Sequence, residues 1–424
     1  MTVLDYFKII TAIPRCSFKT QKMRDKIVDI AKSLGYKVQV DSSGNILCKK
    51  GNPKVCLQAH YDMVCIGDVE NIELIEEGRI LKTKNSTLGA DNGMGMAMMF
   101  SSMEKFDDLE CLFTNDEEVG LIGASNLELE ITADKLLNLD GEEEKEIYVG
   151  CAGGIDVISR LELEYKALDN SEKIYQISAK NFVGGHSGVD IDKGIVSAIK
   201  ALSAELVEHD VKLLHIEGGE FRNSIAKNAV AVVASKKEIK LKNRALHVEV
   251  VEYKKEYIKD GDKIIKAFHS FAQGVRGYDK KFDIPSTSIN LGVVRIDGDV
   301  LEISCAARAM KSEDLHNISN ETESFFQLIG CSTKQSDGHE PWVPDIGSFA
   351  MLIKGEFEKV YNDASFRAIH AGLECGILIQ SQSKKIEAVA IGPTIRFPHS
   401  LREECDLDSV ERIGKVVENI IEGL

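Results

Sequence analysis

The chain has 424 residues, which is too long for one ordinary hydrophobic core and predicts two domains. Its 68 acidic residues outnumber its 52 basic residues, and the net charge of -16 argues against nucleic acid and anionic membranes as partners. The hydrophobic fraction of 43% is typical of a globular protein.

The first 35 residues predict two amphipathic helices. Residues 2–13 carry apolar side chains at helical spacing, and Pro14 ends that run. Residues 20–35 repeat the pattern, and Gly35 stands where a helix C-terminus favours glycine. No apolar run approaches the roughly 20 residues of a membrane span, and the N-terminus lacks a signal-peptide pattern. We therefore expect a cytoplasmic protein with no membrane partner.

The ten cysteines are scattered singly, without a CxxC pair. Many of them lie in apolar segments that resemble strands. Free cysteine is among the most buried residue types, and cytosolic thiols stay reduced. We expect all ten to be reduced thiols in the core. This expectation includes Cys65 and Cys375, which lie close in sequence to segments that are described below as parts of a candidate site.

Residues 55–140 contain a series of acidic loops, each of which follows an apolar segment. A short apolar run such as residues 54–57 or 109–113 predicts a buried strand, and the residues after it emerge where a parallel strand ends. Ligands bind at that edge of open α/β sheets. Several carboxylates gathered there would repel one another unless cations compensated them. The pattern predicts a metal centre built from His60, Asp62, Asp91, Glu117, Glu118 and Asp140.

The spacing within these loops suggests separate tasks for neighbouring residues. His60 and Asp62 are two residues apart, so Asp62 can hold the second ring nitrogen of a ligating histidine. Glu117 and Glu118 are adjacent and point in different directions, so one can bind metal while the other accepts a proton. Asp91 is flanked by small residues, which allows close approach to two metals.

The strand pattern changes along the chain and predicts an interrupted domain. Strands and helices alternate up to Leu139, as in an α/β domain with a mainly parallel central sheet. From Lys173 the strands lengthen and alternate, with helical runs such as residues 193–206 between them, which predicts an α+β domain with an antiparallel sheet. The last segments return to the first style. We expect a first domain at residues 1–158 and 340–424, interrupted by a second domain at residues 159–339.

Two stretches of the second domain resemble each other, residues 214–235 and 286–308. Each contains a strand, a turn and a second strand. An internal duplication is one explanation of this likeness.

Five motifs together carry a family resemblance: HxD, LGADNG, NDEEVG, NLDGE and a late PHS. Their order resembles that of the di-zinc exopeptidase and deacylase family. Within it, GGHSGVDI, AIHAGLECG and IGPTIRFPHS are similar to the branch that cleaves Xaa-His dipeptides. The resemblance spans nearly the whole chain. It implies that the first domain is the catalytic domain, with the zinc-peptidase α/β fold, and that the second domain is a smaller lid domain.

The resemblance also implies roles for individual residues. Asp91 would bridge two metal ions, and the Asp91-Asn92 peptide would be cis. Asp62 would orient a ligating histidine, Glu117 would be the general base, and His186 of the lid would stabilise the oxyanion. The implied metal ligands are His60, Asp91, Glu118, Asp140 and His399. Candidates for binding the substrate carboxylate are Arg222, Asn223, Arg308 and Gly372.

The expected function is hydrolysis of dipeptides of the Xaa-His type by water that two Zn²⁺ ions activate, with Mn²⁺ or Co²⁺ as alternative metals. The first alternative is an N-acyl-amino-acid deacylase that uses the same ions. The second is a non-catalytic binding protein on a peptidase scaffold. We expect a homodimer formed through the lid, or else a monomer whose duplicated lid supplies its own His186.

Overall fold

A computed structural model describes residues 1–336, 338–361 and 363–424. The chain divides into two compact units. Unit 1 comprises Met1–Cys151, Trp342–Ala368 and Leu373–Leu424, and unit 2 comprises Ala152–Pro341 and Ile369–Gly372. Unit 2 is thus an insertion in unit 1, whereas the predicted domain boundaries at residues 158 and 339 remain a proposal.

The helices of the described residues are α1 (Val3–Thr11), α2 (Gln21–Ser33), α3 (Ala90–Lys105), α4 (Ile122–Ser125), α5 (Ala198–Leu206), α6 (Gly261–Ser270), α7 (Ser312–Gln327), α8 (Ser348–Glu358), α9 (Glu374–Gln380) and α10 (Leu407–Glu422). The first strands are β1 (Lys37–Val40), β2 (Ile46–Lys50), β3 (Val55–His60), β4 (Leu74–Glu77), β5 (Ile80–Thr83), β6 (Leu109–Thr114), β7 (Lys135–Asn138) and β8 (Glu146–Cys151).

The next strands are β9 (Gly153–Glu162), β10 (Tyr165–Ala167), β11 (Lys173–Ala179), β12 (Gly185–His186), β13 (Lys212–Gly218), β14 (Ser224–Ile225), β15 (Ala229–Ser235), β16 (Leu246–Val250) and β17 (Glu256–Ile258). The last are β18 (Gly274–Asp279), β19 (Ile284–Asp297), β20 (Val300–Ala309), β21 (Ser332–Gln335), β22 (Ser365–Ile369), β23 (Glu387–Ala390), β24 (Ile395–Arg396) and β25 (Glu404–Asp406).

Unit 1 is built on an eight-stranded sheet with the order β1-β2-β6-β3-β7-β23-β8-β22. Its centre, β6-β3-β7-β23, is parallel, whereas β1, β2 and β8 join antiparallel. Every residue of β3 and β6 is buried, as expected for strands covered on both faces. The predicted α/β class with a mainly parallel central sheet is confirmed.

Helix α3 lies against β3 and fills the core of unit 1. Its methionines Met94, Met96, Met98 and Met99 are all buried. Flexible methionine side chains adapt to irregular gaps in a core. The methionine-rich run of α3 is therefore part of the core of unit 1.

Unit 2 contains a nine-stranded antiparallel sheet in which β13 and β15 form one hairpin and β19 and β20 form another. These hairpins are the two stretches that resemble each other in sequence. They meet through a pairing of Gly218 with Val294. Each is extended outward by antiparallel strands, β11 and β16 on one side and β9 and β21 on the other. The sheet of unit 2 therefore has two similar halves.

The expectation of ten reduced cysteines is wrong for one pair, because Cys16 and Cys65 form a disulfide. Met63 pairs with Cys16 as an isolated parallel bridge, which brings the two loops side by side. The other eight cysteines are free and buried, as expected. Proximity across 49 residues of chain is a tertiary property that cysteine spacing does not reveal.

No helix in the described part of the chain combines the length and apolar character needed to cross a membrane.

Candidate metal centre

Three adjacent parallel strands bring polar residues to one edge of the unit 1 sheet. His60 is the last residue of β3. Glu117 and Glu118 follow the end of β6, and Asp140 follows the end of β7. Because β6, β3 and β7 are neighbours and run in the same direction, their carboxyl ends deliver these residues to one place.

Asp91 lies between two histidines and faces each with a different oxygen. Its Oδ1 lies 3.0 Å from Nε2 of His60, and its Oδ2 lies 2.9 Å from Nε2 of His399. Asp91 stands at the start of α3, and His399 stands in the loop between β24 and β25. The Asp91-Asn92 peptide is cis, as the resemblance implied.

Two groups of side chains that could hold a metal ion share Asp91. In each group the possible ligand atoms lie within 4.8 Å of one another. Nε2 of His60 lies 3.4 Å from Oδ1 of Asp140, and Nε2 of His399 lies 2.9 Å from Oε2 of Glu118. The groups are His60, Asp91 and Asp140, and Asp91, Glu118 and His399.

The charges and one unpaired atom of this cluster fit bound cations. Its carboxylates outnumber its two histidines, and buried charges need a partner of opposite sign. Among the described residues, Oε1 of Glu118 is buried without a hydrogen-bond partner. A third possible group combines His60 with Glu117 and Glu118. Imidazole and carboxylate ligands suit several divalent metals, zinc among them.

The pKa values reflect burial and mutual charge. Burial alone would lower the pKa of His60, but Asp140 and the other carboxylates raise it well above its ordinary value. Burial alone would raise the pKa of Asp91, but His399 and His60 lower it below its ordinary value. Burial, followed by repulsion from neighbouring carboxylates such as Glu118, raises the pKa of Glu117 well above its ordinary value. Divalent cations would relieve this repulsion.

Asp62 connects the predicted ligands with the predicted base. Its Oδ1 lies 3.4 Å from Nδ1 of His60. It also accepts hydrogen bonds from the backbone N–H of Glu117 at 2.9 Å and of Glu118 at 3.3 Å, and from Oγ of Ser17 at 2.7 Å. One fully buried carboxylate therefore fixes both the histidine and the adjacent glutamates.

The sequence prediction missed two further carboxylates whose charges interact with the cluster, Glu374 and Glu142. Glu374 accepts hydrogen bonds from Gln58 and Thr114, and burial raises its pKa to about 7. Burial, together with the charges of Asp91 and Asp140, raises the pKa of Glu142 to about 8. Glu374 belongs to HAGLECG and Glu142 to NLDGEEE, so both lie inside motifs that were already singled out.

Arg15 and Glu403 were also missed. Their side chains are 1% and 3% exposed, although both residue types normally lie at the surface. Arg15 is a lone charge after Pro14, and Glu403 follows the late PHS by a few residues. Neither position carries a local pattern that predicts burial.

The remaining predicted residues lie in unit 2. In the pairing of β12 with β14, His186 lies opposite Ser224. The backbone N–H of Ser187 donates to the carbonyl oxygen of Asn223 at 2.8 Å, and Nη1 of Arg222 lies 2.7 Å from Oδ2 of Asp156. Arg308 lies on β20, and Gly372 ends the short returning segment of unit 2. Unit 2 therefore brings His186 and Asn223 into neighbouring positions.

No family model matches the chain. The cytosol non-specific dipeptidase of Escherichia coli strain K12 is 34% identical over 456 residues, a match that covers 96% of this chain and 94% of the relative. This chain belongs to the cytosol non-specific dipeptidase family.

Solved structures agree with this family membership. The aminoacylhistidine dipeptidase from Vibrio alginolyticus has a TM-score of 0.81 and 29% identity, covering 100% of this chain and 96% of that one. Human carnosine dipeptidase 1 has a TM-score of 0.56 and 14% identity, covering 99% and 95%, which shows the shared fold. The chain is accordingly a hydrolase with the M20 peptidase fold.

Proposed function

We propose that this family member hydrolyses dipeptides, including the Xaa-His type, with two Zn²⁺ ions and with Glu117 as general base. The central observation is that the two oxygens of Asp91 face different histidines, each of which belongs to a group of possible ligands. The names of the Escherichia coli and Vibrio relatives support the substrate class.

The proposed ligands are Asp91, shared by both ions, with His60 and Asp140 for one and Glu118 and His399 for the other. Ions held by these residues would polarise the scissile carbonyl and make a bound water more acidic. Zinc suits the imidazole and carboxylate donors, and Mn²⁺ or Co²⁺ can occupy similar sets. Asp62 holds the ring of His60 through its Nδ1 side.

Glu117 removes a proton from the attacking water and returns it to the leaving amine. Its carboxyl group lies beside the cluster, with Oε2 at 4.0 Å from Nε2 of His60. Burial raises the pKa of Glu117, and a base is most effective when its pKa lies near the working pH. Its neighbour Glu118 faces His399 instead, so the pair can divide metal binding from proton transfer.

We assign the remaining roles from the family resemblance. His186 stabilises the oxyanion, which is a task for a preorganised hydrogen-bond donor. Arg222, Asn223, Arg308 and Gly372 bind the terminal carboxylate of the substrate, which needs cations or backbone N–H groups. The pairing of Arg222 with Asp156 supports a fixed position for that guanidinium group.

A substrate panel tests the proposed activity. Protein stripped with a chelator and reloaded with Zn²⁺ is assayed on Xaa-His dipeptides, other dipeptides and N-acetyl amino acids. We expect hydrolysis of free dipeptides that the chelator abolishes and Zn²⁺ restores. Preference for N-acetyl amino acids would show a deacylase instead, and no hydrolysis of either class by metal-loaded protein would favour a binding protein.

We further propose a cytoplasmic location, which the name of the Escherichia coli relative supports. The Cys16 to Cys65 disulfide is unusual for a reducing compartment, so trapping of thiols in intact cells tests this location directly.

A homodimer through the lid remains a prediction. The two similar halves of the unit 2 sheet support the alternative, a monomer, and sedimentation distinguishes the two states.

A further inference from the structure

The backbone turn that carries Asp91 is held by a carboxylate from a distant part of the chain. Oε2 of Glu403 accepts hydrogen bonds from the backbone N–H groups of Leu88 at 2.8 Å and Gly89 at 3.1 Å. Its Oε1 accepts from those of Ala90 at 2.8 Å and Asp91 at 3.4 Å. One side chain thus binds four consecutive N–H groups.

These four groups would otherwise be difficult to satisfy. Leu88 and Gly89 precede α3, and the backbone angles of Asp91 and Asn92 are not helical, so these N–H groups lie outside a regular helical hydrogen-bond pattern. Buried backbone N–H groups need a partner, and Gly89 has no side chain to provide one. Glu403 therefore acts as a cap supplied from more than 300 residues away in the chain.

Arg15 binds the same turn by donating hydrogen bonds to backbone carbonyl oxygens. The guanidinium group donates to the carbonyl oxygen of Gly89 and, at 2.5 Å, to that of Asp62. A Cβ atom added to Gly89 would lie 2.7 Å from Nη2 of Arg15, and the φ angle of Gly89 is +68°. The turn is consequently fixed on both sides, and glycine is required for the close approach.

Glu403 also belongs to the loop that carries His399. The loop between β24 and β25 contains both residues, and the next residue, Glu404, starts β25. Nε2 of His399 lies 2.9 Å from Oδ2 of Asp91, so the two side chains must keep a fixed separation to share an ion. The four hydrogen bonds of Glu403 join the loop of one proposed ligand to the turn of the other.

We propose that Glu403 is a positioning residue that fixes Asp91 relative to His399 and thereby sets the affinity of the ion that these two residues share, with Arg15 holding the turn from the other side. The inference rests on the proposed metal site. It goes beyond that site by assigning a function to a carboxylate that lies outside both groups of possible ligands. A cap that only stabilised α3 would leave metal affinity unchanged.

The test compares Glu403→Gln, Glu403→Asp and the control Glu404→Gln. Glu404 is adjacent, lies on β25 and pairs with Arg396 rather than with the turn. Zn²⁺ affinity is measured by competition with a chromophoric chelator, and the absorption spectrum of Co²⁺-loaded protein reports ligand geometry. Circular dichroism identifies the folded variants. These readouts do not depend on hydrolysis, so they separate this inference from the proposed substrate.

We expect folded Glu403→Gln to bind one of two ions about 10- to 100-fold more weakly, the usual effect of losing a group that orients ligands. Its Co²⁺ spectrum should change as well. Glu403→Asp should recover part of the affinity because the carboxylate remains, and Glu404→Gln should match the unaltered protein.

Unaltered affinity and spectrum in Glu403→Gln, with only a lower free energy of unfolding, would overturn the proposal in favour of simple helix capping. If Glu403→Gln does not fold, Glu403→Asp decides, because its shorter side chain cannot span all four N–H groups. Wild-type metal affinity in folded Glu403→Asp would then contradict the proposal.

Discussion

At the scale of single residues, Glu117 is the side chain whose replacement separates chemistry from metal binding. Glu117→Gln keeps the shape of the side chain but removes its ability to accept a proton. We expect a loss of kcat by about 10²- to 10⁴-fold, the usual contribution of general acid–base catalysis. Metal content, measured by elemental analysis, should stay the same.

The control is Glu130→Gln, which replaces an exposed glutamate of the same unit. This variant should keep full activity. Substantial hydrolysis by metal-loaded Glu117→Gln would contradict the assignment of the general base.

Buried histidines of unit 2 predict a dependence of stability on pH. Burial, aided by the charge of Arg308, lowers the pKa of His370 to about 3 and that of His339 to about 4. In the unfolded chain a histidine has a pKa of about 6.5. The folded protein therefore binds fewer protons between these pH values, and stability falls as the pH is lowered through about 6.5.

Urea unfolding at pH 7 and pH 5 measures this effect. His370 should account for about 2 kcal/mol of the loss between the two pH values. On acidification, the free energy of unfolding of His370→Gln should fall by about 2 kcal/mol less than that of the unaltered protein. The exposed control His269→Gln should behave like the unaltered protein. Equal losses in all three proteins would show that His370 is not held neutral.

The candidate site was predictable where a residue lies at or shortly after the end of a strand. His60 ends β3, and Glu118 and Asp140 lie a few residues after β6 and β7, so the local pattern fixes which edge of the sheet they reach. Arg15 and Glu403 depend on partners that are distant in sequence, such as Gly89. No local pattern encodes such contacts, so the sequence could not reveal the residues that hold the turn.

At the scale of elements, the disulfide links the loop after α1 to the loop after β3. We expect reduction to lower the free energy of unfolding by about 2–4 kcal/mol, because the bond restricts the unfolded chain. Denaturant unfolding with and without a reductant measures the change.

The double variant Cys16→Ser with Cys65→Ser provides the control. It should resemble the reduced protein, and the reductant should have no further effect on it. An unaltered free energy of unfolding after complete reduction would contradict a stabilising role for this bond.

Element ends show how local sequence can mislead. The helical pattern at residues 193–206 predicts a helix through the whole run, but α5 begins only at Ala198. Gly194 has a φ angle of +69°, which a right-handed helix does not allow. Periodicity predicts which residues face the core, whereas the start of a helix depends on backbone angles that a hydrophobic pattern does not specify.

At the scale of the whole molecule, the sequence predicted two architectures because their strand patterns differ. The fully buried strands β3 and β6 have mainly apolar sequences, whereas β9 alternates between buried and less buried residues. The weak likeness between two stretches also corresponds to two hairpins in one sheet. The pairing of those hairpins through Gly218 and Val294 was not predictable, since it joins residues far apart in the chain.

The central claim is that Asp91 is shared by two metal ions. A crystal of Zn²⁺-loaded protein, with anomalous diffraction recorded on both sides of the zinc absorption edge, tests it most directly. We expect two zinc peaks about 3.5–4 Å apart, one beside each carboxylate oxygen of Asp91. A single peak, or two peaks of which only one contacts Asp91, would contradict the account.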